Sequence, residues 1–244
     1  YPDHKLAIEV NGLYWHANDK TRHLEKTKLC SEKGIHLLHF WEHEINSKLE
    51  IVLSIINNKL GLASKLHARK CVIHQIDNNT YRKFLNENHL QGYHPSKIRY
   101  GMFHNDVLVS VIGFGKPRFD KTADLEIIRY ATLLNTTVVG GLSKFLKLVN
   151  DKTLVTYADR RLFDGSGYAK AGFTKIRDTK PGYFWYQKTI TLSRYQTQKH
   201  KLAFVLGELF DQSKSENDNM ISAGYSKVYD CGQTVWIKNL SQPL

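Results

Sequence analysis

The stretch KLAIEVNGLYWH, Lys5 to His16, puts a carboxylate, Glu9, inside an apolar run of Leu6, Ala7, Ile8 and Val10, and delivers an imidazole, His16, just past Gly12. Burying a carboxylate is costly unless it meets a cation or a metal ion. A Glu in that position is therefore a candidate for chemistry as well as for a structural ion pair. Carboxylates at the end of a twisted sheet hold Mg²⁺, which polarises a phosphoryl oxygen and generates hydroxide, and a nearby His or Lys then moves a proton. His39, His43 and Glu44 read equally as ligands or as a solvated helix entrance. Trp15 and Trp41 read as core aromatics. Three cysteines, Cys30, Cys71 and Cys231, are widely spaced and form no Cys-x-x-Cys pair, which suits reduced thiols in a cytoplasmic compartment and argues against a zinc knot.

The elements that must position these residues follow from periodicity and punctuation. Residues 5–11 read as a strand buried on both faces. Asp19 to Lys33 is helix-forming, with Gly34 as its stop. Ile35 to Trp41 is a second buried strand, and EIVLSIINNKLGL a helix ending near Gly61. A polar, basic stretch at 63–70 reads as a linker. A second α/β pattern then begins at Cys71: the strand CVIHQI, a helix NTYRKFLNENH with an Asn N-cap, and a hairpin turning at Asn105-Asp106. The strand DLEIIRYAT, a helix after Gly140-Gly141 and the strand TLVTYAD come next. YDCGQTVWIKN reads as a terminal hairpin with Cys231 in the core, and DQSKSENDNM as a mobile loop. The fold class is α/β in two domains, 1–62 and 71–244.

The order of strand, Gly, aromatic-Trp-His, helix, Gly, apolar strand and WEHE over the first sixty or so residues resembles the very short patch repair endonucleases and their relatives in the PD-(D/E)xK superfamily. That resemblance implies a small mixed sheet flanked by helices, Mg²⁺ or Mn²⁺ as cofactor, Glu9 as a metal-binding acid and His16 as the active-site imidazole. The superfamily lysine two residues past Glu9 is here Asn11, so Lys26 or Lys28 would substitute, Lys26 being the choice. The first metal-binding Asp of such relatives precedes the Pro-x-x-Lys-Leu strand, which implies a residue upstream of Tyr1 and a chain truncated at its N-terminus.

The segment TYADRRLFDGSGYAKAGFTKI resembles the last motif of the GCN5-related N-acetyltransferase fold, which the Mom-type DNA modifiers share; TTVVGGLSKFL stands where that family carries its pyrophosphate-binding loop. The two resemblances together imply a phage-type mobile endonuclease that cuts double-stranded DNA, its second domain serving recognition. The alternatives are a DNA-base acyltransferase with its chemistry around Gly140, Gly141, Asp159 and Tyr168, and a non-catalytic DNA-binding protein. Thirty-five Lys and Arg against 23 Asp and Glu give a net charge of +12, which favours a polyanionic partner. Lys116, Arg118, Arg160, Arg161, Lys180, Arg194, Lys199 and Lys201 are the DNA-contact candidates, interleaved with aromatics that stack on bases or pack inward. No apolar run is long enough for a membrane span.

Overall fold

Residues 1–13 and 19–240 are described by the computed structural model. The elements, in chain order, are β1 (Leu6–Asn11), α1 (Arg22–Glu32), β2 (His36–Trp41), α2 (Glu42–Lys59), β3 (Ser64–His67), β4 (Val72–Gln75), α3 (Asn78–Asn88), β5 (Ile98–His104), β6 (Val107–Gly115), β7 (Leu125–Thr132), β8 (Thr136–Val139), α4 (Gly141–Leu146), β9 (Thr153–Asp159), α5 (Ser166–Lys170), β10 (Thr174–Asp178), β11 (Tyr183–Gln187), β12 (Ile190–Ser193), α6 (Lys199–Leu206), α7 (Glu216–Ser222), β13 (Ser226–Tyr229) and β14 (Gln233–Asn239). The fold is mixed α/β. No helix among the described residues is long and apolar enough to cross a membrane.

The chain divides into two units that are not the expected 1–62 and 71–244. Unit 1 gathers Tyr1–His43, Asp159–Leu162 and Thr179–Gln233; unit 2 gathers Glu44–Ala158, Phe163–Asp178 and Thr234–Leu244. The reason lies in what each segment buries. In unit 1, Leu13 and Trp41 from the N-terminal segment share a core with Val228, Phe184 and Tyr186. The stretch read as a linker is instead structured: Ser64 to His67 form β3, which pairs in parallel with β8 in unit 2.

Unit 1 holds the parallel pair β1 and β2, in register from Leu6 opposite His36 to Asn11 opposite Trp41, and an antiparallel three-stranded sheet of order β12-β11-β13. Trp185, Leu202, Leu206, Met220 and Ala223 make a further core against α6 and α7. Half of the expected mobile loop is α7, started by Ser215, whose side chain accepts from the Asp218 N–H. The expected terminal hairpin is absent: β13 pairs with β11, while β14 belongs to the sheet of unit 2. Between β13 and β14, Asp230 accepts from the N–H groups of both Gly182 and Gly232, with Gly232 at φ 74°.

Unit 2 is built on a seven-stranded sheet of order β10-β14-β9-β7-β6-β5-β4. Strands β4 to β7 run antiparallel to their neighbours, and β7 and β9 are parallel. Met102, Ile112, Phe114, Ile127, Phe145, Leu154 and Phe173 fill the core on one face. On the other face α3 lays Tyr81, Phe84 and Leu85 over Val111 and Ala131. The hairpin turn is at Asn105-Asp106, both at positive φ.

Candidate functional site

Glu9 sits on β1 directly opposite His39 on β2, so the parallel register brings a carboxylate and an imidazole side by side. Helix α1 then supplies a cation: Lys26 Nζ lies 2.5 Å from Glu9 Oε1. Its lysine reaches Glu9 because Asp19 Oδ1 accepts from the N–H groups of Thr21 and Arg22 and fixes where α1 begins. Burial pulls the Glu9 carboxyl upward, but the Lys26 hydrogen bond, with the charges around it, brings it below the ordinary value. Lys28 has no part in this contact. His16 and Trp15 lie outside the described residues.

His39 is fully buried, and its proton inventory follows from its neighbours. Thr27 Oγ1 lies 2.9 Å from the His23 carbonyl oxygen, which can only accept, so the hydroxyl proton goes there. His39 Nε2, 2.8 Å from the same hydroxyl oxygen, is then the donor to it. That leaves His39 Nδ1 with its lone pair, which accepts from Asn11 Nδ2 at 3.3 Å and faces Glu9 Oε2 at 3.4 Å. The imidazole is therefore neutral. Burial, against the pull of Glu9 and with help from His23, Arg161 and Lys26, pushes its pKa down to about 4. Asn11, which stands where the superfamily has its lysine, thus orients His39 rather than supplying charge.

The network continues inward. Cys231 Sγ is 3.3 Å from Thr27 Oγ1, and burial pushes its thiol up to about 11, so it is a core donor and not a nucleophile. His23, also buried, places Nδ1 2.8 Å from the Tyr229 carbonyl oxygen and stands edge-on to both His39 and Trp41. Asp230 is held above the ordinary carboxyl range by burial and by Asp159 beside it. Among the described residues no group of three or more His, Cys, Asp or Glu is arranged to hold a metal ion. His43 and Glu44 join no such group.

The DNA-contact candidates divide between the units. Lys180, Arg194 and Lys199 are exposed in unit 1, and Lys116 is exposed in unit 2. Arg161 is a correction: it is 4% exposed, its Nη2 donates to Asp159 Oδ2 at 3.0 Å, and its guanidinium covers the Trp41 ring. A strand-ending Asp-Arg-Arg looks cationic in sequence, but the second Arg turns inward to its own Asp. Arg118 is half-exposed but grips the buried Glu126, Lys201 donates to the Tyr195 carbonyl, and Arg160 is half-buried. In the second motif, α4 is a six-residue helix after Gly140 at φ 76°. Lys144 on it is tied to the carbonyls of Ala68 and Cys71. Tyr168 Oη is 3.2 Å from Thr156 Oγ1. No spacing or motif marks His39, Asn11, Thr27 and Cys231 as one network.

No family model matches the sequence, and no curated protein matches it. Among solved structures, an N-acetyltransferase from Staphylococcus aureus Mu50 is 12% identical with a TM-score of 0.38, covering 70% of this chain and 99% of that one. A Bacillus subtilis acetyltransferase in complex with CoA is 14% identical with a TM-score of 0.35, covering 70% of this chain and 97% of that one. Likenesses of this degree assign no activity and no ligand.

Proposed function

We propose that the protein is a metal-dependent endonuclease that hydrolyses phosphodiester bonds in double-stranded DNA, with its chemistry in unit 1. The observation that carries this reading is the contact of Lys26 with Glu9: a carboxylate and a cation, from different elements, held together beside a parallel strand pair. Mg²⁺ is commonly held by one or two carboxylates with water and substrate phosphate completing its shell, and Glu9 fits as one such ligand among the described residues. When bound, the ion supplies Lewis-acid polarisation of the phosphoryl oxygen. Lys26 then places its ammonium where charge develops on the phosphate. His16 is assigned the proton transfer by the sequence resemblance. The test is plasmid cleavage with Mg²⁺ or Mn²⁺ against EDTA, using Glu9→Gln, Lys26→Met and His16→Ala. Cleavage that each substitution abolishes while DNA binding persists is the expected result; cutting by Glu9→Gln at the parent rate would remove the site from the reaction.

A second reading has its own observation. The strand order of unit 2, with an antiparallel run leading to a parallel step at β7 and β9, is of the kind that the GCN5-related resemblance implies. It supports an acyl-modifying enzyme in place of a nuclease. Against it, α4 is short and Lys144 is engaged with backbone carbonyls. Calorimetry with acetyl-CoA, with mass spectrometry of nucleosides from treated DNA, separates the two: micromolar binding or a mass-shifted base favours acyl transfer.

A further inference from the structure

Arg99 on β5, Gly113 on β6 and Arg129 on β7 are successive cross-strand partners in the sheet of unit 2. Residues so paired face the same side of a sheet, here the side covered by α3. Gly113 is glycine because Tyr81 Oη and Ser96 Oγ occupy the place a Cβ would take. Two strand spacings separate the two arginine backbones by about 10 Å, and between them sit hydroxyls instead of a carboxylate.

The hydrogen bonds of these arginines are incomplete. Arg129 donates Nε to the Gly92 carbonyl at 3.2 Å and Nη1 to the Ile128 carbonyl at 2.9 Å. Arg99 donates Nη1 to the Ser96 carbonyl at 2.5 Å, and its Nε is buried with no hydrogen-bond partner. Among the described residues neither guanidinium has a carboxylate in ion-pair range. The nearby buried acid, Glu126, is committed to Arg118 through Nε at 2.9 Å, Nη2 at 2.5 Å and the backbone N–H at 2.9 Å. Lys48, His89 and His94 lie within electrostatic reach of Arg129 and add no negative charge; Glu44 is the acid that faces Lys48.

The sheet is only briefly paired beside Arg129. The parallel pairing of β7 with β9 covers only Leu125 opposite Leu154 and Glu126 opposite Val155, so the two strands part just before Arg129. The loop carrying Gly92 and His94, between α3 and β5, is partly exposed.

We propose that this face of unit 2, where β7 leaves β9 and Arg99 and Arg129 flank Gly113, is a binding site for a phosphate group carried by a nucleic-acid strand or by a free nucleotide. Guanidinium forks match phosphate oxygens in pairs, and a tetrahedral anion offers acceptors on opposite sides, as two arginines on either side of an intervening strand require. The site stands on unit 2 alone and does not depend on hydrolysis by unit 1.

The experiment uses the full chain in EDTA, so that no cleavage intervenes. Arginines are labelled with phenylglyoxal, with inorganic phosphate, dTMP or a single-stranded oligonucleotide present, and mapped by mass spectrometry. Protection of Arg99 and Arg129 is expected. Protection by the oligonucleotide alone supports a nucleic-acid strand; protection by phosphate and dTMP as well supports a free nucleotide. Arg129→Gln is expected to weaken binding of the protecting ligand by about tenfold or more, as for loss of a charge-assisted hydrogen bond, while the exposed Lys65→Gln leaves it near the parent value. Labelling of both arginines unchanged by every ligand overturns the proposal, as does parent-like binding by a folded Arg129→Gln. The labelling result stands even if that variant does not fold.

Discussion

At the scale of single residues, the unit 1 site turns on which group carries which proton. His39 is depressed from the ordinary histidine value near 6.5 to about 4. Its contribution to stability is therefore complete above pH 6.5 and is lost as pH falls toward 4, at up to about 1.4 kcal/mol per pH unit. His39→Gln should flatten the urea-denaturation stability profile across that window, though not fully, because His89 is pushed down to about 3 and acts with the same sign. Glu9 shifts in the lowered direction, so its contribution is present above the ordinary carboxyl range and is lost as pH falls through its folded value. Lys26→Met removes the hydrogen bond that lowers it, and carboxyl carbon-13 titration should show the Glu9 pKa rise; an unmoved titration would mean that the ion pair is not formed in solution. Glu9 was legible in the sequence because a carboxylate in an apolar run is conspicuous. Lys26 was legible because Asn11 left a cation missing. His39 was not, since a buried imidazole reads like any half-polar strand residue until its partners, Thr27 on a helix and Cys231 more than two hundred positions away, are known.

At the scale of elements, local chemistry decided what could be foreseen. The hairpin between β5 and β6 is readable because Asn and Asp are the residues that tolerate left-handed backbone after glycine. Helix α3 was expected in place but with the wrong cap. Asp77, not an Asn, is the N-cap, its Oδ1 accepting from the N–H groups of Asn79 and Thr80 at 2.7 and 3.0 Å. Asp77→Ala should cost about 1 kcal/mol, seen as a melting temperature lowered by roughly 2–4 °C for a chain of this size. Asp77→Ser should recover most of it, because a hydroxyl accepts the same N–H. The strands β13 and β14 show the opposite case. Two apolar runs around Asp-Cys-Gly suggest a hairpin, yet strand partners are chosen by the whole sheet: β13 pairs with β11 and β14 joins another sheet, while Asp230 between them accepts from two backbone N–H groups.

At the scale of the molecule, the division into units overturns any plan to separate the halves at residue 62 or 71. A fragment of 71–244 would leave Val228, Phe184 and Tyr186 without Leu13 and Trp41, and Tyr229 and Cys231 without His23 and Thr27. Its 179–233 segment should lose fixed packing, with broad amide signals there and sharper ones for the sheet of unit 2; a fragment with dispersed signals throughout would contradict the division. The proposed DNA binding is therefore to be tested by substitution in the full chain. With a net charge of +12, binding that neutralises several phosphates should fall steeply with salt, each contact adding close to one unit to the slope of log affinity against log salt. Lys116, Lys180 and Lys199 are exposed lysines among the candidates, the first in unit 2 and the others in unit 1. Lys180→Gln and Lys199→Gln should each reduce the slope by about one if unit 1 lies on the duplex, and Lys116→Gln should do the same if unit 2 does. Reductions from both units mean that the duplex spans them. A reduction from unit 2 alone would return recognition to the sheet and its arginine row, and an unchanged slope in all three variants would move the interface off these lysines altogether.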